Sequence, residues 1–519
     1  MQLRSKLLPA LLGALVLTSA GSALAAGPIQ AVDKLWSFNH FAANVGRSSE
    51  IVAFDSATRN LWVIGGNGID VLDLGGNLLK SFETASVYGT VNSISIRNGI
   101  AAVAFNNPVA PDGLGSVQFF DTSAFLSAAT VGAANRGGVA VGNVPDMVTW
   151  THDGNKLLVA NEGERKPTFN PAGSVSIIDF NAAAPGSSSV TTAGFTAFDG
   201  QEAALRAAGV RIQAGLSASI ALEPEYIAIA PGGNTAHVTL QEANAIGILD
   251  LNTRAFTSIV PLGLKDYSLP GNQIDPSDRD GGVSFRNVPA KGMYMPDGIA
   301  SYAAGGNTFY VMANEGDAHV DDNDLARLGS LTLDPAIFPN AAQLKNEANL
   351  GRLNVSILGA DGLGPGPNGH TEIVSYGARS FSIRDANGAL VYDSGDILDK
   401  QAHAAGIYPD GRSDDKGVEP EGIAIFTVAG RTLAFVGLER TTRSAVAVFD
   451  ITDPAHSTFP QMIVADLNSE VRPEGVLVFE DHGKIFLAIA NEATEDVPTA
   501  AGSNRTMLFQ ITPVPEPST

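Results

Sequence analysis

Carboxylates recur along this chain at a spacing suited to holding hard cations. Five segments open on Pro followed by an acid, pass through two short apolar stretches and close on Glu. They run from Pro145-Asp146 to Asn161-Glu162, Pro224-Glu225 to Gln241-Glu242, Pro296-Asp297 to Asn314-Glu315, Pro420-Glu421 to Leu438-Glu439 and Pro473-Glu474 to Asn491-Glu492. Two weaker copies precede them, Glu50 to Asn67 and Asn92 to Asn107, and in all seven the paired positions lie 15 to 18 residues apart. Carboxylate and amide oxygens favour Ca²⁺, with Mg²⁺ next, over zinc, and the chain has no Cys. Pro-Asp and Pro-Glu are also good turn starters, so blade geometry alone could keep them. Turn chemistry does not explain Glu at the second position five times, because Glu is a poor turn residue.

The elements that must position these acids are short strands. Tyr226-Ile227-Ala228-Ile229 and Leu433-Ala434-Phe435-Val436 are typical, with turns such as Pro231-Gly232-Gly233-Asn234 between partners. Short apolar runs bounded by Gly, Asn and Asp read as hairpins. A third strand follows and ends in Asp, as in Val175 to Asp179 and Val446 to Asp450, and a more polar fourth leads to the next copy. Four-stranded units at a fixed period are propeller blades, so an all-β, seven-bladed β-propeller is expected. A β-sandwich would not repeat one acid pattern, and a solenoid would show more uniform repeats with caps. The last copy has only three strands, and Leu35-Trp36-Ser37-Phe38 near the N-terminus is the candidate for its missing outer strand.

Strand direction then places both acids of each copy at one end of the channel. The first position reads Glu50, Asn92, Asp146, Glu225, Asp297, Glu421 and Glu474, and the second adds Glu162, Glu242, Glu315, Glu439 and Glu492. Two like charges at about 4 Å repel by roughly 4 kcal/mol at an effective dielectric near 20, so such a ring must hold cations, keep protons or stay hydrated. Glu50, Asp146, Glu162, Glu225, Glu242, Asp297, Glu421, Glu474 and Glu492 are the candidate ligands, with Glu315 and Glu439 as further ligands or the base. Long insertions at 181–222, 254–293, 318–378 and 395–417 are expected on the same face, where repeat proteins build their binding surfaces. They carry Asp278-Arg279-Asp280, His319, Asp321, Asp322, Arg379 and Asp414-Asp415-Lys416 at or near their ends. Arg379, Lys416 and Arg440 are the candidates for holding phosphate oxygens. Gly362-Leu363-Gly364-Pro365-Gly366 lacks the strand and helix of a phosphate loop, and neither a Gly-x-Ser-x-Gly elbow nor a His-Glu-x-x-His helix is present.

Arg4 and Lys6, the apolar run Leu7 to Val16 and Ala23-Leu24-Ala25 form the three regions of a secretory signal peptide over residues 1–26. One propeller domain is expected over 27–512 and a Pro-rich tail over 513–519, in a secreted, periplasmic or surface protein that is a monomer. With no Cys, stability must come from the core and ring closure. The formal charge of −22 argues against nucleic acid or anionic membrane as partner, and no stretch after residue 26 is long and apolar enough to span a bilayer.

Three groups of residues carry a family resemblance. They are Ser268-Leu269-Pro270-Gly271-Asn272 with Asp278-Arg279-Asp280-Gly281, Tyr294-Met295-Pro296-Asp297-Gly298-Ile299-Ala300, and Arg379-Ser380-Phe381-Ser382-Ile383 with Val391-Tyr392-Asp393-Ser394-Gly395. With the Asn-Glu-Gly and Pro-Glu-Gly motifs, they make the chain resemble the choice-of-anchor I domain family. That resemblance implies an exported bacterial propeller with a C-terminal anchor, and Val514-Pro515-Glu516-Pro517 is similar to the start of a PEP-CTERM signal. Related domains occur in secreted proteins described as atypical alkaline phosphatases. The Pro-Glu-Gly-Ile pattern is similar to that of phytase-like propellers, whose acidic channel binds calcium and phosphate esters. The resulting expectation is a calcium-dependent phosphoesterase. The alternative is a non-catalytic, metal-stabilised propeller that binds a surface polymer or partner protein.

Overall fold

The computed structural model describes residues 28–44, 47–110, 112–166, 168–317, 324–492 and 504–514. The expected signal peptide, His319, Asp321, Asp322 and the tail from Pro515 onward lie outside the described residues. Seven four-stranded antiparallel sheets carry the fold, one for each copy of the acid pattern. Blade 1 comprises Arg47–Asp55, Asn60–Gly66, Gly68–Asp73 and Leu78–Glu83, and blade 2 comprises Val91–Arg97, Ile100–Phe105, Ser116–Asp121 and Asn135–Ala140. Blade 3 is Pro145–Trp150, Lys156–Asn161, Ser174–Asp179 and Ser189–Gly194, and blade 4 is Pro224–Ile229, Thr235–Leu240, Ala245–Asp250 and Ala255–Pro261. Blade 5 is Ile299–Ala304, Asn307–Asn314, Ser380–Asp385 and Leu390–Asp393, and blade 6 is Pro420–Val428, Arg431–Leu438, Ala445–Asp450 and Thr458–Val464. Blade 7 takes Pro473–Asp481, Lys484–Asn491 and Arg505–Pro513, and its fourth strand is Ile29–Asn39 from the other end of the chain.

The second strand of each blade is apolar along nearly its whole length because neighbouring blades cover both of its faces. Leu157 to Ala160 and Leu61 to Ile64 are fully buried. Each pair of consecutive blades encloses its own apolar cluster. Trp62 and Phe105 meet between blades 1 and 2, Phe119 and Trp150 between 2 and 3, and Ile177 and Val238 between 3 and 4. Ile246 with Met312, Phe381 with Phe449, Val448 with Leu487, and Leu508 with Leu61 complete the circuit back to blade 1.

Closure follows the expected route. Ile29 pairs with Pro513 and Asn39 with Arg505, so the strand containing Leu35 to Phe38 lies outermost in blade 7. A buried polar knot fixes its end: His40 Nδ1 meets Asp70 of blade 1 at 2.7 Å, and Nε2 meets Thr506 Oγ1 of blade 7 at 2.9 Å. Arg47 Nε donates to the other Asp70 oxygen at 3.2 Å.

Two insertions form a small domain-like layer instead of separate loops. Leu264–Asp266, Lys291–Met293 and Val374–Ser375 make a three-stranded sheet, and Leu325–Arg327 pairs with Asn354–Ser356. Tyr267, Leu328, Leu350 and Leu353 form its core.

Candidate functional site

A local irregularity presents the first acid in four of the five Pro-acid copies. The innermost strand breaks register between Pro145 and Met147, Pro224 and Ile227, Pro420 and Ile423, and Pro473 and Val476. Asp146, Glu225, Glu421 and Glu474 occupy those bulges, where an extra residue re-aims a side chain away from the ladder. The residue before the proline is left-handed in four copies: Val144 at φ 47, Met295 at φ 43, Glu419 at φ 49 and Arg472 at φ 60. That conformation is costly for non-Gly residues and tends to persist at functional sites.

The same residues tether the second acid. The amides of Glu162, Glu439 and Glu492 donate to the carbonyls of Val144, Glu419 and Arg472, each at 2.9 Å. Asn161 and Asn491, just before, turn into the blade and bond to Ser174 and Arg505. The Asn therefore serves the sheet and frees the Glu to point elsewhere. The Gly that follows is a steric requirement in blade 5, since a Cβ at Gly316 (φ +86) would lie 2.1 Å from the Gly377 nitrogen.

These devices converge on one axial cavity of about 420 Å³. Twelve carboxyl groups line it, supplied by Glu50, Asp146, Glu162, Glu164, Glu225, Glu242, Asp297, Glu315, Asp317, Glu421, Glu474 and Glu492. Asn92, Asn106, Gln241 and Tyr226 complete its polar wall, and no Lys, Arg or His lines it among the described residues. Two groups within it have ligand atoms all within 4.8 Å of one another: Asp146, Glu162 and Glu225, and Asp297, Glu315 and Glu421. Glu225 is only 8% exposed and makes no hydrogen bond or ion pair among the described residues. Burial, then repulsion from Glu162, Glu242 and Asp146, holds its carboxyl well above the usual range. Asp146 is pushed up to about 7 by burial and then by Glu164, Glu50 and Glu242. Glu162, Asp297, Glu421 and Glu474 are raised for the same two reasons, and Glu50 by burial.

Ten of the eleven carboxyl groups singled out from the sequence thus face one space, Glu439 being the exception. Glu439 accepts from Arg472 at 2.8 Å and pairs with Arg440 at 3.1 Å, so the chain's own cations hold it. The three proposed phosphate-binding cations are also engaged. Arg379, 2% exposed, donates to the carbonyls of Asp275, Ser413 and Asp415 beneath the insertions. Lys416 bridges Glu315 at 2.6 Å and Glu419 at 2.9 Å and also bonds the Gly316 carbonyl. Arg440 lies between Glu439 and Glu419. A buried cation must take acceptors from its surroundings, and here these carbonyls and acids supply them.

Glu164, Asp317, Gln241 and Tyr226 were not foreseen. Glu162-Gly163-Glu164 and Glu315-Gly316-Asp317 share a readable Glu-Gly-acid signal. In blade 2 the residue facing the cavity is Asn106, not Asn107. Val91 pairs with Phe105 and Asn92 occupies the bulge that follows it, so the Asn106 side chain donates to Asn92 Oδ1 at 3.0 Å. Asn107 instead folds its own loop through Leu114.

Comparison with known proteins adds a family to this geometry. The mesenchyme-specific cell surface glycoprotein of Strongylocentrotus purpuratus is 29% identical over 286 residues, covering 46% of this chain and 36% of that protein. Gigasin-3a of Magallana gigas is 32% identical over 128 residues, covering 21% of this chain and 42% of its own. The chain thus spans well under half the length of these curated relatives. Among solved structures, a streptogramin B lyase is similar at TM-score 0.45 and 10% identity, covering 93% of this chain and 98% of that one. A periplasmic gluconolactonase of Pseudomonas aeruginosa is similar at TM-score 0.43 and 11% identity, covering 88% and 99%. Residues 50–454, most of the propeller and both larger insertions, match the choice-of-anchor I domain, and the chain belongs to that family.

Proposed function

We propose that this exported propeller binds divalent cations, Ca²⁺ before Mg²⁺, in its axial cavity, and that the bound ions form its working surface toward an anionic surface polymer or partner protein. One observation carries the reading: Glu225, buried and without a partner among the described residues, stands with Asp146 and Glu162 in a cavity of twelve carboxyls that no cation among those residues lines. Hard oxygens at high negative charge density suit Ca²⁺. The cell-surface name of the sea-urchin relative supports a surface role.

Hydrolysis of phosphate esters is the second reading, favoured by the Asp297, Glu315 and Glu421 group. Bound calcium would supply the charge that neutralises a phosphate and activates water. Glu315, pushed up to about 7 by burial against the opposing pull of Lys416, can take up a proton near neutral pH. Any phosphate would be held chiefly by the ions, because Arg379, Lys416 and Arg440 are committed elsewhere.

The test titrates chelator-treated protein with CaCl₂ while following Tm, and assays p-nitrophenyl phosphate and phytate over pH 5–10. A calcium-dependent rise in Tm that is weakened in Glu225→Gln is expected. No response to calcium or magnesium would overturn cation binding. Turnover that requires calcium would favour the hydrolase, and its absence in calcium-stabilised protein the non-catalytic role.

A further inference from the structure

The two acid groups of the axial cavity are built alike and held differently. Each takes the opening acid and the closing Glu of one blade and the opening acid of the next. Asp146 and Glu162 of blade 3 meet Glu225 of blade 4, and Asp297 and Glu315 of blade 5 meet Glu421 of blade 6. A cation in either group would therefore bridge a blade boundary. At the first boundary the side chains of Asp146, Glu162 and Glu225 make no hydrogen bond or ion pair among the described residues. Glu225 is buried and still faces the cavity.

At the second boundary Glu315 has both oxygens engaged. Lys416 Nζ donates to Oε1 at 2.6 Å, and Gln241 Nε2 donates to Oε2 at 2.9 Å. Lys416 also reaches Glu419 at 2.9 Å and bonds the Gly316 carbonyl, so all three of its protons have acceptors. Among the described residues it is the only Lys or Arg bonded to a member of either group. Arg412 stays with Glu419, and Arg440 lies against Glu439.

The insertion at 395–417, not a blade, delivers this lysine. On one side of it Arg379 donates to the Asp415 carbonyl at 2.8 Å. On the other, Asp399 of the helix Ile397–Ala404 accepts from the Val418 amide at 3.2 Å. Gly417 (φ +69) is pressed against the same oxygen, since a Cβ there would lie 2.8 Å from Asp399 Oδ1. An ion entering the second group would have to take Glu315 from Lys416. The buried ammonium would then lose a charged acceptor and repel the ion beside it, and both effects are unfavourable. The first group has no such competitor among the described residues.

We propose that Lys416 is a tethered counter-ion that sets the ion count of the cavity: one divalent cation binds between blades 3 and 4, and Lys416 withholds the matching group between blades 5 and 6. The inference rests on the cation-binding reading above and names how that same site is regulated. Release of the 395–417 insertion would open the second group.

Equilibrium dialysis against CaCl₂ after chelation counts the ions on the full chain, for wild type, Lys416→Met, Lys416→Arg, Glu225→Gln and the double variant Lys416→Met/Glu225→Gln. Wild type should hold one ion, with any second about 10-fold weaker or more. Lys416→Met should hold two of similar affinity, and Lys416→Arg, which keeps the charge, should stay at one. The double variant should keep one ion, which assigns the gained ion to the second boundary. Two equally tight ions on wild type, or a single ion on folded Lys416→Met, would overturn the proposal. If Lys416→Met does not fold, Glu225→Gln decides. Loss of its tight ion is expected, and one ion retained at wild-type affinity would overturn the proposal. No bound calcium in any variant would overturn cation binding itself, a different outcome from a wrong count.

Discussion

Glu225 and Lys416 represent the two ways in which this molecule treats buried acid. Around Glu225 the carboxyls face each other with no cation among the described residues between them. At Glu315, Glu419 and Glu439, whose ligand atoms also lie within 4.8 Å of one another, Lys416 and neighbouring arginines supply the positive charge. Replacing Lys416 by Met should therefore cost about 3–5 kcal/mol in chelator, the usual penalty for breaking a buried pair. Calcium should recover part of that loss by occupying the vacated acid group, which paired denaturation curves would show. The free cavity should also have an unusual pH response. Its acids titrate above the ordinary carboxylate range near 4, so between about pH 4 and 7 the native state binds more protons than the unfolded chain, and stability falls as pH rises. Glu419 behaves the opposite way: despite its burial, Lys416, Arg412 and Arg440 hold it below its usual value. Melting curves from pH 4 to 8 should show Tm falling in EDTA and holding in calcium, whereas a Tm that rises in EDTA would contradict the cavity electrostatics. Most of the acids were legible because a Pro-acid pair opens one strand at a near-constant distance from the Glu that closes the next. The fate of Lys416 was not, because its partner Glu315 lies 101 residues away in sequence and nothing local announces it.

At the level of elements, the repeat and its turns were readable because every blade needs two short apolar strands and a tight reversal. The bulges were not, since a break in register depends on how a partner strand pairs. The N-terminal strand was foreseen from a count of strands in the last copy. Its removal tests the closure: deleting residues 28–41 strips the outer partner from Arg505–Pro513, removes Trp36 and Phe38 from the cluster between blades 7 and 1, and takes His40 from Asp70 and Thr506. A steep drop in Tm or loss of soluble protein is expected, because an open edge and a buried Asp70 oxygen stripped of its His40 partner are both unfavourable. A Tm unchanged by the deletion would show that the strand only decorates the surface. The insertions were read as a binding surface on one face, and two of them prove to share a core around Tyr267 and Leu350. No local pattern marks that core, because its residues are scattered singly across some hundred positions.

For the whole molecule, seven separate interface cores mean that no single apolar centre holds the chain, and the acidic axis can exist because the apolar packing lies around it. Among the described residues no helix is long and apolar enough to cross a membrane. The pairing of the first strand with the last has a mechanical consequence. Ile29 sits opposite Pro513, and the Val514 amide donates to the Pro28 carbonyl at 3.0 Å, so the chain enters and leaves the ring at the same point. Tension applied between the two ends would act across that strand pair and open its hydrogen bonds one after another, like a zipper. Tension applied through one end alone, against a load held in the cavity, would bypass the seam and be shared among the blades. The fold is weak to being stretched end to end and strong to being held by one tether.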